Sequence, residues 1–191
     1  MEPTPFQHVR FVRLSSFQRD RVLDHLLRLD PEDRASRFGR TAGDDEIRRY
    51  WERIDWARTL MIGCEVGGEL RAVGELRAIG EAGWGPTAEV AVTVERPFQG
   101  RRIGSELFRR LVTLARNRGV RSLYVICLAR NRKVQRMVLH YGTELTQYDG
   151  EIEGQIRLPW PSYLSFAREI MDECAGAVQA ALTPSPRRST A

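Results

Sequence analysis

AEVAVTVERPFQGRRIGS, residues 88 to 105, runs from a strand through a basic turn into a helix. Val90, Val92 and Val94 alternate with Glu89, Ala91 and Thr93, the period-2 pattern of β-favouring residues. Pro97 ends the strand because it has no N–H for a sheet ladder. Gln99-Gly100-Arg101-Arg102-Ile103-Gly104 then forms a turn. From Ile103 onward Leu107, Leu111, Val112 and Leu114 recur at helical spacing, with arginines on the other face. A strand, a glycine-bearing basic turn and a helix start compose a phosphate site. The first-turn N–H groups, extending to Ser105, and the positive end of the helix dipole both attract an anion. The same spacing also fits an ordinary strand–turn–helix with a solvated basic turn.

A second segment, LYVICLARNRKVQRMVLHYG (residues 123 to 142), reads as an apolar strand, an asparagine and a helix. Together the two segments resemble the acetyl-CoA site of the GNAT acetyltransferase superfamily, whose pattern after the fourth strand is Q/R-x-x-G-x-G/A. Gln99 and Gly104 match it, and Arg102 stands where the first glycine is usual. Asn131 and Gly142 are spaced as in the family's second segment. The resemblance implies an α/β acyl-CoA N-acyltransferase fold. Its central sheet would be mixed, mostly antiparallel and of about seven strands, flanked by helices, with an extra C-terminal helix.

At 191 residues and 42% hydrophobic, the chain can bury one sizeable core. Residues 1–182 read as a single domain. TPSPRRSTA, residues 183–191, is polar and proline-containing and reads as a disordered tail. No apolar run reaches membrane-spanning length and MEPTPFQHVR lacks the apolar stretch of a signal peptide, so a cytoplasmic protein without a membrane partner is expected. Cys64, Cys127 and Cys174 fit no metal-ligand spacing, and no metal is expected; Cys64 and Cys127 fall in strands and read as buried thiols. His8, His25 and His140 fall in no triad or metal pattern.

The net charge is +5 and Lys133 is the only lysine. A basic balance admits nucleic acid, an anionic cofactor or an acidic partner. The arginines crowd around the turn and its helix: Arg96, Arg101, Arg102, Arg109, Arg110, Arg116, Arg118 and Arg121. Without a nucleic-acid-binding motif or interleaved aromatics, nucleic acid is set aside. Arg101 and Arg102 are assigned to ligand phosphates and the others to a solvated helix face. Nothing in the pattern fixes an oligomeric state.

In chain order, His8–Leu14 alternates as a strand, and Ser15 or Ser16 caps a helix with Val22, Leu23, Leu26, Leu27 and Leu29 on one face. Asp30-Pro31-Glu32-Asp33 restarts a helix, Asp30 as cap and Asp33 reaching back as in a capping box. LDPEDRASRF resembles the segment after the first helix in GNAT domains of bacterial protein-lysine acetyltransferases. Asp44 or Asp45 begins a helix carrying Ile47, Tyr50, Trp51 and Ile54. Gly67-Gly68 and Asp149-Gly150 signal hairpins. Ser122–Leu128 reads as a buried inner strand. A final helix from about Ser162 to Leu182 carries Leu164, Ala167, Met171, Cys174 and Val178 on one stripe, expected to cover an edge or face of the sheet.

The resemblance implies acetyl transfer from acetyl-CoA to a primary amine by direct attack, with protein lysine the leading acceptor and a small amine the alternative. A catalytically degenerate CoA-binding domain is a further alternative, favoured by Arg102 and Val138. The CoA pyrophosphate would lie on the backbone from Gly100 to Ser105, assisted by Arg101 and Arg102. A bulge would expose the backbone of Val92, Thr93 and Val94 to the pantetheine and thioester oxygen. Asn131 would contact pantetheine or cap its helix. Glu89 matches the family's general base; Glu75 is the second candidate, and a cross-strand pair of Glu89 with Arg71 or Arg77 is the competing reading. The tyrosine that many members use as general acid is Val138 here.

Overall fold

The computed structural model describes residues 9–80 and 83–182. His8 and the 183–191 tail lie outside the described residues. The sheet has the order β1-β2-β3-β4-β5-β7-β6. Its strands are β1 (Val9–Leu14), β2 (Thr59–Val66), β3 (Glu69–Ala78), β4 (Thr87–Val94), β5 (Ser122–Leu128), β6 (Glu144–Tyr148) and β7 (Glu151–Arg157). The helices are α1 (Arg19–Arg28), α2 (Pro31–Phe38), α3 (Asp44–Glu52), α4 (Ile103–Asn117), α5 (Arg132–Leu139) and α6 (Tyr163–Leu182). Neighbouring strands are antiparallel except β4 and β5, which run parallel. Both expected hairpins form, each through two residues at positive φ: Gly67 and Gly68 between β2 and β3, Asp149 and Gly150 between β6 and β7.

Helices cover both faces. On one, α4 lays Leu107, Phe108, Leu111 and Leu114 onto Leu76, Val90, Leu123 and Val125. The helix comes close because β3 carries Gly74, where a Cβ would stand 2.7 Å from Leu111 Cδ1. On the other, Val22, Leu26 and Leu29 of α1 and its following residue meet Ile47 of α3 over Met61, Leu70 and Val73. Asp30 caps α2 by accepting from Asp33 N at 2.8 Å, with Pro31 at the first position. The capping box is not closed: the Asp33 carboxylate turns instead to Gln99 Nε2, 2.9 Å away.

Two further expectations are corrected. First, β5 is not an inner strand buried on both faces. Leu123, Val125 and Cys127 are buried, but Ile126 is 48% exposed, because β4 has diverged by then and α2 and α5 do not cover the gap. Second, α6 covers the β1 edge of the sheet as expected, but not through its apolar stripe. Leu164, Met171, Cys174 and Val178 point outward, while Ser165 and Gly176 are buried on the opposite side. The helix docks on α4 and β1 through polar groups. Arg109 Nη2 donates to Asp172 Oδ1 at 2.8 Å, Arg118 Nη1 to Glu169 Oε1 at 2.6 Å, and Asn117 Nδ2 to Glu169 Oε2 at 2.6 Å. Arg116 Nε reaches Trp160 O at 2.8 Å just before the helix. The arginines of α4 are therefore the seat of α6 rather than a solvated face.

Gly176 makes that docking possible: a Cβ there would stand 2.4 Å from the backbone oxygen of Phe11. Gly176→Ala is expected to force α6 off β1 and destabilise the fold by about 1–3 kcal/mol, despite alanine's better helix propensity. Chemical denaturation checks this; a variant as stable as the parent would mean that the helix does not seat on Phe11.

Candidate active site

The parallel pairing of β4 with β5 runs only through Thr87↔Ser122, Ala88↔Leu123 and Glu89↔Tyr124. Beyond Glu89 the strands part. The register of β4 against β3 is continuous from Ala78↔Ala88 to Ala72↔Val94, so β4 carries no bulge there; the expected bulge is replaced by the divergence from β5. The effect on the backbone is similar. Ile79 N donates to Thr87 O and Glu95 N to Arg71 O, each at 3.0 Å, so these residues face β3. By antiparallel alternation Val90, Val92 and Val94 direct their N–H and C=O groups into the gap. A groove of about 650 Å³ fills that gap, walled by α2 at one side and by α4 and α5 at the other.

At the groove's lower end is the basic turn. Gly100 sits at φ +76° and Arg102 at φ 62°, ψ 5°, the left-handed conformation that a glycine would adopt without cost. Ile103 is buried in the core and contributes backbone only; Arg101, Arg102 and Ser105 are exposed. At Gly104 an added Cβ would meet Val94 Cγ2 at 3.5 Å and Val92 Cγ1 at 3.9 Å, ordinary contacts. Folding therefore does not require glycine there, and Gly104 lines the groove together with Val92 and Val94. Gln99 braces the turn from below, donating to Val94 O at 3.0 Å and accepting from Lys133 Nζ at 2.9 Å. Asn131 caps α5, accepting from Val134 N at 3.2 Å, and also lines the groove, so its two expected placements coincide. The arrangement suits a long ligand with an anionic end: backbone N–H groups and the exposed Arg101 and Arg102 below, an extended slot of mixed polar and apolar lining above.

The candidate carboxylates lie on the α1–α3 face of the sheet. Glu89 forms the cross-strand pair with Arg77, whose Nη2 donates to Oε2 at 2.6 Å; the Glu89 side chain is 23% exposed. Glu75, opposite Ala91, is buried and accepts on Oε2 from Arg37 Nη2 at 2.8 Å and Tyr50 OH at 2.6 Å. Burial first, with the Glu75 charge and hydrogen bond added, pushes the Tyr50 phenol far above its ordinary value, the Arg37 charge partly opposing this. A second cavity, of about 620 Å³, is lined by Glu75, Tyr50 and Arg77. Arg37 lines the groove and bonds Glu75, so it forms part of the partition between the two spaces.

Three residues stand differently from expectation. Thr93 contributes only backbone alignment to β4; its side chain is buried on the α1 face, 2.8 Å from His25 Nε2. His25, placed in no pattern by the sequence, is fully buried, with Nδ1 3.2 Å from Glu95 Oε1. Arg28 Nε (2.9 Å) and Arg71 Nη1 (3.0 Å) complete the Glu95 cluster, which fixes the end of β4 just before the turn. Tyr124 is the residue that sequence reading passed over: it is paired with Glu89 and shares its face of the sheet. Val138 is buried in the core. Among the described residues no group of three or more His, Cys, Asp or Glu is arranged to hold a metal, and no helix is long and apolar enough to cross a membrane.

Two outcomes follow from this geometry. A non-glycine residue at positive φ costs about 1–2 kcal/mol, partly offset in a comparison with glycine by glycine's freer unfolded chain. Arg102→Gly is therefore expected to leave stability unchanged or raise it by up to about 1 kcal/mol in denaturant titration; a marked loss would show that the Arg102 side chain itself holds the turn. Burial, opposed by the Glu95 hydrogen bond, holds His25 below the usual histidine value. The unfolded imidazole takes a proton below about pH 6.5 while the folded one resists it, so stability declines as pH falls through that value. For Glu95, burial would raise the carboxyl, but the His25 and Arg28 hydrogen bonds outweigh it and lower it, adding a further loss below about pH 4.5. The melting temperature should drop between pH 7 and 5.5, and His25→Gln should flatten that part of the curve.

Residues 23–143 match the sequence model of a known family, described as the acetyltransferase (GNAT) family. Among solved structures, the GNAT domain of S. lividans PAT superposes with a TM-score of 0.65 at 23% identity, over 78% of this chain and 90% of that one. The putative acetyltransferase yncA from Salmonella typhimurium, solved with its cofactor acetyl-CoA, gives 0.59 at 17% identity, over 82% and 96%. A cAMP-binding acyltransferase from Mycobacterium smegmatis gives 0.56 at 20% identity over 92% of this chain, which spans only 53% of that larger protein.

Proposed function

The chain belongs to the acetyltransferase (GNAT) family and is an acetyl-CoA-dependent N-acyltransferase; from that premise we propose that its acceptor is a protein lysine and that Glu89 is the general base. The observation that favours Glu89 is that β4 and β5 part immediately after it, so that its backbone borders the opening while its side chain, 23% exposed, pairs with Arg77.

The groove fits the cosubstrate on this chain's own features: the N–H-rich turn at the start of α4, the exposed Arg101 and Arg102, and the backbone N–H groups that Val92 and Val94 turn toward the groove. Acetyl-CoA supplies an acetyl group activated as a thioester. The backbone from Gly100 to Ser105 would hold the pyrophosphate. The N–H groups of Val92 and Val94 would align the pantetheine and meet negative charge developing on the thioester oxygen. Because Arg102 already holds the left-handed angle, its departure from the family glycine leaves the cradle formed.

The amine nitrogen must be neutral to attack, and a lysine amine has an unperturbed pKa of about 10.4. Glu89, oriented by Arg77, takes the proton as the nitrogen–carbon bond forms and the carbon–sulfur bond breaks. Tyr124, the register partner of Glu89, is the candidate on this face of the sheet that would return a proton to the departing thiolate, since Val138 carries no proton donor. The second cavity would admit the acceptor. Its wall carries Arg40, Arg49, Arg53, Arg58 and Arg77 against Glu46, Asp55 and Glu75. A cationic excess repels polycationic small amines and favours a lysine with acidic neighbours, which is why protein lysine stands ahead of a polyamine.

The test is acetyl transfer to lysine peptides with acidic, neutral or basic flanks, with acetyl-CoA binding followed separately by thermal shift. Saturation at a hundred times the dissociation constant should stabilise the parent by about 2.7 kcal/mol, and Gly104→Val should abolish that shift. Glu89→Gln should cut turnover by about 10²–10⁴ while the thermal shift persists, the defect shrinking at high pH where more amine is already neutral. If Glu89→Gln turns over normally and Glu75→Gln does not, the base is Glu75. Transfer to polyamines but to no peptide would replace the acceptor reading.

A further inference from the structure

The outward stripe of α6 has the spacing of a coiled-coil seam. Leu164, Ala167, Met171, Cys174 and Val178 step by three, four, three and four residues, the alternation by which apolar side chains of one helix interlock with a partner helix. Leu164 is 83% exposed, Met171 63% and Val178 58%; beside them Tyr163 is 96% and Ile170 60% exposed. Isolated apolar residues at a surface need no account, but a continuous stripe along a 20-residue helix does. Among the described residues none covers it.

We propose that this chain forms a two-fold dimer through a parallel, in-register pairing of α6 with α6 of a second copy. The seam asks for a helix of the same spacing with its own seam free. The faces of α1, α3 and α4 are spent in the two cores, and α6 of another copy supplies what is needed. The parallel register sets all five seam positions each against its own counterpart. An antiparallel register, pairing three-step with four-step positions, leaves Leu164 or Val178 without a mate. At the flanks the parallel register brings Tyr163 to Arg168 and Ile170 to Ala175, with no like charges opposed.

The docked side of α6, carrying Glu169 and Gly176, lies diametrically across the helix from the seam, so the two protein bodies fall on opposite sides of the pair. The five large exposed side chains present on the order of 800 Å², the area per partner of a standard interface. Cys174 falls on the seam and is exposed, whereas Cys64 and Cys127 are buried.

Light scattering of the full chain, 21.9 kDa, reads the result. The expected mass is twice that of one chain, and Leu164→Glu with Met171→Glu should give a monomer that keeps the parent's circular dichroism and acetyl-CoA thermal shift. A parent that is monomeric at every accessible concentration, or a double variant that stays dimeric, would overturn the proposal. If the double variant does not fold, the parent itself decides. A diazene oxidant takes two electrons and two protons from a facing pair of Cys174 thiols, joining them in one disulfide. A band of doubled mass on a non-reducing gel, lost in Cys174→Ser, is expected; its absence in the parent refutes the parallel register. Neither readout depends on the acceptor or on Glu89.

Discussion

Three residue pairs hold β4 to β5 before the strands part, and the rest of the molecule is arranged around that parting. A sheet that opens leaves backbone N–H and C=O groups without partners, which is tolerated only where water or a ligand meets them. Here the opening coincides with the start of α4 and with a turn held at two positive φ angles, so unpaired strand donors and unpaired helix donors converge on one groove. The strand's far face carries Thr93 and Glu95 into a buried cluster with His25, which keeps the strand's end fixed although β5 no longer supports it. Pairing with β3 is uninterrupted over the same length, so the open edge rests on a firm inner one.

Much of this was legible in the sequence because it depends on local rules. Alternating valines, proline after the strand and glycine at tight turns act over a few residues, and β4, α4 and both hairpins follow them. The glycine-bearing basic turn was legible too, and Arg102, standing where a glycine is usual, holds the left-handed angle that a glycine would take. What escaped depends on distant partners. His25 lies on an otherwise apolar helix face, and only the tertiary approach of Glu95, seventy residues away, gives it a function. The pairing of Tyr124 with Glu89 arises from a parallel register that no local pattern encodes. The expected bulge failed for a related reason: sequence indicates that a backbone edge is exposed, not whether a bulge or a diverging neighbour exposes it.

The C-terminal helix is the instructive miss. Its apolar stripe suggested burial and the arginines of α4 suggested solvent, and both inferences rest on the usual preference of each residue type. The structure pairs the charged faces with each other: Arg109 and Arg118 take Asp172 and Glu169. The apolar stripe is thereby turned outward. Hydrophobic patterning identifies a face that excludes water without saying whether the excluding surface belongs to the same chain.

This division of one helix into an ionic side and an apolar side has a consequence for ionic strength. Simple salt screens the Arg109–Asp172 and Arg118–Glu169 contacts, which are partly accessible, and so loosens α6 from its own protein body. Strongly hydrated salts such as sulfate enhance apolar burial and so tighten whatever meets the outer stripe. The two sides of the helix thus respond in opposite senses to the same solution variable.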